Sequence, residues 1–297
     1  MSDKKMKLQK SLRSRGLCGT LAATWRFVFP PKVETLQYCK DLVAGLRGLE
    51  IGGPTMSFRP DGIIPIYPII AGLDNCNFGS QTVWEGSISE GHSFQFDPNK
   101  PKGRQFIAEA TELRMIPSKT YDFVLSSHSL EHTTNPVRAL KEWIRVIKDK
   151  GGLLLLLPHK EDTCDHRRPL TKLSHLFDDF DKNPGEDDLA HLPEVLELHD
   201  IDKDWGVVDF EALRERSLKN YENRCIHHHV FNTSLAVDLV DAVGMQILSV
   251  EAVRPFHIII VARKVTDGGS PQNDFFRSPT AAWRRASPFR IDRQPGA

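Results

Sequence analysis

Histidine is concentrated in one part of this sequence. Eight of the twelve histidines lie within residues 159–229, a segment that is also rich in aspartate and glutamate. The unperturbed imidazole has a pKa of about 6.5, so histidine can take a proton from a hydroxyl or an amine at neutral pH. We therefore expect acid–base chemistry from this segment.

Two clusters within the segment are candidates for that chemistry. The first, Asp165-His166-Arg167-Arg168, follows an apolar run, and the second, His227-His228-His229, precedes a predicted helix. Paired hydrogen bonds from a guanidinium group suit a carboxylate or a phosphate on a substrate. The predicted catalytic residues, one of them from an earlier segment, are His166, His228 and His132. The predicted substrate-binding residues are Arg167, Arg168, His227 and His229.

Both clusters also allow a structural interpretation. Adjacent side chains on an extended segment point to opposite sides, so at most His227 and His229 share a side. The arginines can instead pair with nearby acids, namely Asp178, Asp179 or Glu186. Imidazole and carboxylate groups suit zinc, iron or magnesium, but the segment has no His-x-x-x-His spacing, and no metal site is predicted.

Residues suited to binding a cofactor lie earlier in the chain, at the ends of predicted strands. Leu46–Ile51 leads into Gly52-Gly53, and glycine lets a backbone come close to a ligand because it has no Cβ. Tyr121–Ser126 leads to His128, at the position where open α/β sheets place ligand-facing residues. No strand is followed by Gly-x-Gly-x-x-Gly, so a nicotinamide cofactor is disfavoured.

The elements that must position these residues alternate between strand and helix. The best-defined helix has Asn135 as its cap, Pro136 at its first position and an apolar stripe on one face. A second helix, Thr233–Ala242, precedes two strands whose connection is too short for a parallel crossover, so they form an antiparallel hairpin. The predicted strands are Leu46–Ile51, Ile66–Leu73, Gln105–Ala108, Tyr121–Ser126, Leu153–Leu157, Met245–Val250 and His257–Ala262.

This pattern predicts an α/β fold with a mostly parallel sheet, helices on both faces, a terminal antiparallel hairpin and an inserted helical cap. The predicted parts are a basic N-terminal helical extension (1–33), a cofactor-binding part (34–158), the cap (159–231), a helix and strands that complete the sheet (232–264) and a disordered tail (265–297). The Arg-rich N-terminus is also open to interpretation as a targeting segment.

Composition excludes several classes of protein. The chain has 297 residues, 39 basic and 39 acidic residues, and no apolar run long enough to span a membrane, so neither a membrane protein nor a nucleic-acid-binding protein is favoured. The five cysteines share no close spacing, which fits neither a disulfide framework nor a zinc knuckle and indicates a reducing compartment. We expect a cytoplasmic protein, and a homodimer is left open.

Taken in order, these features resemble class I S-adenosylmethionine-dependent methyltransferases. The motifs that carry the resemblance are Glu50-Ile51-Gly52-Gly53, Asp74 after the second strand, Glu109-Ala110-x-x-Leu113 after the third, and Tyr121-Asp122-Phe123-Val124 before the Pro-started helix. Leu130-Glu131-His132, after the fourth strand, is similar to members of the methyltransferase domain 11 type. The resemblance covers Leu46–Pro158 well and Thr233–Lys264 in outline.

The resemblance implies a Rossmann-like sheet of seven strands and S-adenosylmethionine as the cofactor. It implies contacts from the glycine loop, from an acid on the ribose and from an acid-small pair beside the adenine. Pro54 directly follows the glycine pair, so the loop lacks one glycine of the family pattern and is stiffer. The cofactor-binding residues that the resemblance implies are Glu50, Gly52, Gly53, Asp74, Asn75, Glu109, Ala110 and His128.

The expected function is methyl transfer to a polar small molecule, such as a sugar or a secondary metabolite, at a hydroxyl or a nitrogen. Transfer is an in-line displacement, with a histidine as the base and the cap selecting the substrate. An alternative is a non-catalytic interaction protein that keeps the methyltransferase fold. A nucleic-acid methyltransferase is disfavoured by the acidic cap and by the lack of an Asn- or Asp-Pro-Pro-aromatic motif.

Overall fold

The computed structural model describes residues 32–204, 206–266 and 269–294. The predicted basic N-terminal helix therefore lies outside the described residues, apart from its last two positions. No helix within the described ranges is long and apolar enough to cross a membrane.

The strands of the described residues are β1 Arg47–Ile51, β2 Gly72–Asn77, β3 Gln81–Thr82, β4 Gly86–Ser87, β5 Gly91–Phe94, β6 Gly103–Ile107, β7 Tyr121–Ser127, β8 Ile147–Pro158, β9 Met245–Val253 and β10 His257–Lys264. Eight of them form one sheet in the order β5-β6-β2-β1-β7-β8-β10-β9, and β3 pairs with β4 in a separate hairpin. The neighbouring strands from β6 to β8 run parallel, whereas β10 is antiparallel to both of its neighbours.

The predicted fold class is confirmed, including the terminal antiparallel hairpin. One difference is β5, which pairs antiparallel with β6 at the edge, so the sheet has eight strands rather than seven. Only Phe94 of its four residues is buried. A strand with one buried side chain shows no apolar alternation in the sequence, which is why β5 was not predicted.

The helices of the described residues are α1 Leu36–Val43, α2 Pro136–Val146, α3 Leu173–Lys182, α4 Leu192–Leu198, α5 Phe210–Leu218, α6 Asn220–Asn223, α7 Thr233–Ala242, α8 Asp274–Arg277 and α9 Ala282–Ala286. The helices α2 and α7 begin where the sequence predicts. The side chain of Asn135 accepts a hydrogen bond from the backbone N–H of Arg138, and Asn232 does the same for Leu235. Each cap satisfies a first-turn N–H that has no partner inside the helix.

The apolar core lies on both faces of the sheet. The helices α2 and α7 cover one face, where Trp143 is fully buried. The helix α1 and residues 54–71 cover the other face, where Phe58 and Tyr67 are fully buried. The side chains of Leu153–Leu157 alternate between these two layers and are all buried, as expected for a central strand.

The crossover from β1 to β2 differs from the prediction. The predicted strand Ile66–Leu73 is wrong, because Tyr67–Ile69 forms a 3₁₀ turn and β2 starts at Gly72. The apolar run is buried in the layer on the second face rather than in the sheet. Pro68 has no N–H to give to a strand ladder, so a central strand through this position is disfavoured. Residues 52–71 thus cross over without an α-helix.

The cap, residues 159–231, lies against the loops that follow β6 and β7. Its Arg224 forms an ion pair with Glu109 after β6. The backbone N–H of His228 donates to the carbonyl of Glu131 after β7, at 2.8 Å. The cap therefore covers the edge of the sheet at which the parallel strands end, which we call the carboxyl edge.

The predicted disordered tail is wrong for residues 269–294. This segment contains α8, α9 and a 3₁₀ turn, and it buries Trp283 and Phe289. Asp292 is fully buried and accepts from the hydroxyls of Thr233 and Ser287, at 2.6 and 2.7 Å. A composition rich in Pro, Ser, Gly and Arg suggested disorder, but two aromatic side chains and one satisfied carboxylate anchor the segment to the domain.

Candidate functional site

The loop after β1 is held close to the end of β7. Gly52 has a φ of +77°, and a Cβ there would lie 2.5 Å from the hydroxyl oxygen of Ser129. A Cβ on Gly53 would lie 2.2 Å from the carboxyl carbon of Glu50. A side chain at either position would collide with these neighbours, so glycine lets the loop pack closely against Ser129 and Glu50.

Glu50 is fully buried beneath this loop. Its carboxylate accepts from the Tyr67 hydroxyl, 2.8 Å from each oxygen, and from the backbone N–H of Thr55 at 3.1 Å. Burial raises the pKa of Glu50 to about 8, and the hydrogen bond from Tyr67 opposes this increase. No ion pair to Glu50 forms within the described part of the chain, so a cationic ligand would stabilise its charged form.

Asp74 does not lie where the sequence places it. It was expected to follow the second strand, but β2 continues to Asn77 and Asp74 lies inside it. Its carboxylate accepts from the Tyr121 hydroxyl at 2.8 Å and from the backbone N–H of Arg104 at 2.7 Å. The predicted contact with a ribose needs an acid at the carboxyl edge, which this arrangement does not provide.

Asn75 acts on the glycine loop. Its fully buried amide accepts from the N–H of Gly53 at 3.0 Å and donates to the carbonyl of the same residue at 2.9 Å. Asn77 also donates to that carbonyl, at 3.2 Å. The predicted cofactor contact of Asn75 is thus replaced by a clamp that fixes the loop.

Glu109 and Ala110 do lie at the carboxyl edge, just after β6. The carboxylate of Glu109 is 2.5 Å from the guanidinium of Arg224, and the carbonyl of Ala110 accepts from the indole N–H of Trp143 at 2.9 Å. The same guanidinium lies over the ring of Phe78, 5.1 Å from its centre. An arginine from the cap therefore occupies the surroundings of the predicted adenine-side pair.

Four side chains beside the end of β7, namely Glu131, His132, Asp165 and His227, form what we call the edge cluster. The ring centres of His132 and His227 are 4.6 Å apart. Glu131 places one carboxylate oxygen 3.8 Å from Nε2 of His132, while its other oxygen is buried with no partner among the described residues. Burial raises the pKa of Glu131 to about 7.

His227 and Asp165 form the closest pair of the edge cluster. Nδ1 of His227 hydrogen-bonds to the carboxylate of Asp165. Burial alone lowers the pKa of His227, but the charge of Asp165 outweighs it, and the pKa is raised. Because Nδ1–H donates to Asp165, Nε2 is the acceptor in the neutral form of His227, which is the orientation that a general base needs, while the raised pKa favours the protonated form.

Two other histidines of the region are neutral at pH 7. Nδ1 of His132 lies 3.1 Å from the carbonyl of Ile226, and burial together with the nearby His227 lowers the pKa of His132 well below its usual range. His128 has a φ of +53°, and its Nε2 is 2.9 Å from Nδ1 of His257. Burial and His257 lower the pKa of His128 as well.

Several predicted site residues have other roles in the structure. Arg168 is 1 % exposed and donates to the carboxylates of Asp165 and Glu194, both at 2.8 Å, and to the carbonyl of His227 at 2.7 Å. The predicted contact between Arg168 and a substrate is therefore wrong. A buried guanidinium whose donors are satisfied inside the protein braces the cap instead.

His228 does not have the surroundings of a catalytic base. It is 1 % exposed, and its Nε2 lies 3.1 Å from the side-chain amide of Asn220. Burial lowers its pKa to about 3. His228 is thus neutral, but its acceptor nitrogen is already used by Asn220.

His166 and Arg167 lie outside the edge cluster. Nε2 of His166 is 2.7 Å from the carboxylate of Asp200, and the half-exposed guanidinium of Arg167 is 3.5 Å from the same group. His229 contacts His175 and His191 rather than His227. The extended segment 227–229 therefore divides its histidines between two places.

One element that covers this site was not predicted from the sequence. The short β3–β4 hairpin carries Trp84, whose ring centre lies 5.5 Å from that of His132. The sequence of this hairpin shows no strand-like alternation, because each of its strands has only two residues. Tyr67 and His257 were not assigned to the site either. Asp165 lies in a predicted cluster but was given no role of its own, since its partner His227 is 62 residues away in sequence.

Comparison with known proteins gives one match to a family. Residues 87–155 match the family model described as a methyltransferase domain. The matched segment contains β6, β7 and α2 but not β1 or the glycine loop. No curated protein matches the chain.

Three solved structures illustrate distant likenesses. A SAM-dependent methyltransferase from Methanosarcina mazei has 16% identity and a TM-score of 0.44, with 79% of this chain and 99% of that chain covered. A putative methyltransferase from Bacillus halodurans has 12% identity and a TM-score of 0.41, with coverages of 78% and 98%. A SAM-dependent methyltransferase from Aquifex aeolicus has 12% identity and a TM-score of 0.41, with coverages of 89% and 100%. Likenesses this distant carry no functional argument.

The match to the methyltransferase domain confirms the resemblance predicted from the sequence, and the cofactor that it indicates is S-adenosylmethionine. One observation fits that cofactor. The buried carboxylates of Glu50 and Glu131 have no strong cationic partner in the described ranges. S-adenosylmethionine carries an ammonium and a sulfonium, which would complement such carboxylates.

Proposed function

We propose that this protein is an S-adenosylmethionine-dependent methyltransferase that acts on a hydroxyl or a nitrogen of a polar small molecule. The observation that carries the proposal is the edge cluster beside the glycine loop. Ser129 joins the two, because its hydroxyl donates to the carbonyl of Ile51 at 3.1 Å and adjoins Gly52. A methyl donor held by the loop would thus adjoin a histidine–aspartate pair.

In this proposal the cofactor supplies a reactive methyl group on a sulfonium. The exposed backbone of Gly52 and the carboxylate of Glu50 contact its methionine portion. His227, oriented by Asp165, removes the proton of the acceptor through Nε2, and such a base contributes about 10²–10⁴-fold to the rate. The cap and Trp84 keep water out, so that the methyl group is not lost to hydrolysis.

The charges of the site support a substrate without a phosphate. The guanidinium of Arg168, which the sequence suggests for an anionic group, is buried and paired. The edge cluster instead contributes the carboxylates of Glu131 and Asp165. Such surroundings favour a neutral hydroxyl or an amine, as in a sugar or a secondary metabolite.

Calorimetry with S-adenosylmethionine and with its demethylated product tests the first half of this proposal. We expect Glu50→Gln to weaken binding about tenfold to a hundredfold, because a hydrogen bond to a charged group is worth about 1.5–3 kcal/mol. The exposed Glu90 provides a matched control, and Glu90→Gln should bind like the wild type. A folded wild-type protein that gives no binding heat would reject the proposal.

Turnover tests the second half. The purified protein is incubated with labelled cofactor and a panel of sugars, amines and phenols, and label transfer is followed by mass spectrometry. Transfer to an acceptor that His227→Ala no longer methylates would support the assignment of the base. Transfer at the wild-type rate by that variant would remove His227 from the reaction.

One observation favours a second candidate, a non-catalytic interaction protein. Arg224 of the cap already pairs with Glu109, the acid predicted beside the adenine. If this pair excludes the cofactor, the Arg224→Ala variant should bind S-adenosylmethionine and the wild type should not. Wild-type binding in the calorimetry above would instead reject the second candidate.

A further inference from the structure

Three histidines and one aspartate of the cap come together close to its surface. His175 and Asp179 lie one turn apart on α3, His191 directly precedes α4, and His229 belongs to the segment before α7. We call His175, Asp179, His191 and His229 the cap cluster. The ligand nitrogens of its three histidines all lie within 4.8 Å of one another.

Three of the separations within the cap cluster are close to those around a tetrahedral metal ion. Nε2 of His175 is 3.0 Å from Nε2 of His191 and 3.3 Å from Oδ2 of Asp179, and Nε2 of His229 is 3.6 Å from the same oxygen. A tetrahedral zinc site with bonds of about 2.0–2.1 Å has ligand atoms about 3.3 Å apart. The observed distances bracket that value.

Hydrogen bonds alone leave this cluster unsatisfied. Asp179 Oδ2 is buried and has no hydrogen-bond partner within the described ranges, although two imidazoles face it. Nε2 of His229 has a long contact of 3.4 Å to the carbonyl of Thr134. A buried carboxylate oxygen without a donor is costly, and a cation between the four groups would satisfy it.

We propose that His175, Asp179, His191 and His229 bind a zinc ion. Imidazole nitrogens and a carboxylate oxygen are common zinc ligands, and four protein ligands make a closed site of the structural kind. The sequence suggested no metal, because no two histidines of the segment have the His-x-x-x-His spacing that places both on one helix face. The helix instead supplies a histidine and an aspartate, and the other two ligands come from later segments.

Neighbouring groups with metal-binding side chains fit less well. In the edge cluster, Nδ1 of His132 and of His227 already face Ile226 and Asp165. In a third group, Cys164, His199 and Asp204, the aspartate is held by His199 at 2.9 Å and by Arg216 at 2.6 Å. Partners within the protein thus already occupy one nitrogen of each histidine in the edge cluster and the aspartate of the third group.

The proposed ion would fasten three parts of the cap to one another. It would join α3, the start of α4 and the segment that precedes α7. The ligand from that segment, His229, lies two residues after His227. The side chain of His175 is 42 % exposed, so the ion has a route from solvent. This inference does not rest on the proposed methyl transfer, since none of the four ligands belongs to the edge cluster.

Zinc content and zinc-dependent stability test the inference. The full chain, without a histidine tag, is stripped with a chelator, titrated with Zn²⁺ against a chromophoric competitor and analysed for bound metal. We expect about one zinc ion per chain and an increase in melting temperature with zinc, because a ligand that binds only the folded state stabilises it. Asp179→Asn and His175→Ala should each weaken zinc binding by at least about tenfold.

The exposed His92 provides the matched control, and His92→Ala should bind zinc like the wild type. Circular dichroism checks that each variant is folded, and Asp179→Asn changes no side-chain volume. Wild-type protein that takes up no zinc above a trace, with an unchanged melting temperature, would overturn the inference. So would wild-type affinity in both ligand variants, which would leave a cluster held by hydrogen bonds alone.

Discussion

The edge cluster and the cap cluster are built from the same kinds of side chain but use them differently. In the edge cluster His227 directs Nδ1 to a carboxylate and keeps Nε2 as an acceptor. In the cap cluster His175 and His191 direct Nε2 towards each other, 3.0 Å apart. The first arrangement suits proton transfer, whereas the second suits a shared cation.

The two clusters are connected by three consecutive residues. His227 belongs to the edge cluster and His229 to the cap cluster, while His228 between them is bound to Asn220. The chain bends at residues 226 and 229, so His227 and His229 do not share a side as they would on a regular strand, and one short run supplies two different sites. A histidine run in a sequence therefore does not by itself define a single site.

The largest expected effect separates the two clusters by activity. His227→Ala should lower kcat by about 10²–10⁴-fold, because it removes the proposed base, and it should leave bound zinc unchanged. The measurement is label transfer to an acceptor from the panel, together with metal analysis. Loss of zinc in this variant, with normal turnover, would reverse the assignment of the clusters.

The next effect concerns stability at the edge cluster. Asp165→Asn removes the charge that pairs with His227 and with the buried Arg168, and it should lower the free energy of unfolding by about 3–5 kcal/mol. Asp200→Asn is the control, because Asp200 pairs with the more exposed His166 and Arg167 and should cost about 1 kcal/mol or less. Urea unfolding measures both, and equal losses would contradict this view of Asp165.

A smaller effect depends on pH. The pKa values of Glu50 and Glu131 are raised by burial, to about 8 and about 7. Glutamate in the unfolded chain has a pKa of about 4.3, so between about pH 5 and 7 the folded state holds protons that the unfolded state has released. Their contribution to the free energy of unfolding therefore falls as pH rises, by about 1.4 kcal/mol per pH unit for each group.

Urea unfolding at several pH values within this range checks the sign. Glu131→Gln should make the free energy of unfolding fall less steeply with pH, and Glu50→Gln should have the same effect independently. The control is Glu112→Gln, a surface residue whose carboxylate is 42% exposed. Unchanged slopes in both buried variants would show that these carboxylates are ionised in the folded protein.

The smallest expected effect lies outside both clusters. Arg167→Ala should change the free energy of unfolding by about 0.5 kcal/mol or less, because the side chain is 57% exposed and its ion pair is long. KM for the acceptor should also remain unchanged. A large increase in KM would restore the substrate contact that the sequence suggests for this residue.

Local signals predicted much of the fold. Asn135 with Pro136, and Asn232 with its following residues, marked two helix starts, because capping depends on residues within one turn. The five leucines Leu153–Leu157 marked the central strand, since a buried strand needs apolar side chains on both faces. The run Ile66–Leu73 was wrongly predicted to be a strand, because an apolar segment that packs on a sheet has the same composition as one that lies inside it.

The sequence alone determined six of the strands in the main sheet, two helix caps, the glycine pair and the concentration of histidine in one segment. These features follow from local preferences, which a short window of residues contains. Only the tertiary structure decided which histidine meets which acid. His227 pairs with Asp165 across 62 residues and Arg224 with Glu109 across 115, and such contacts depend on how the whole chain packs rather than on spacing.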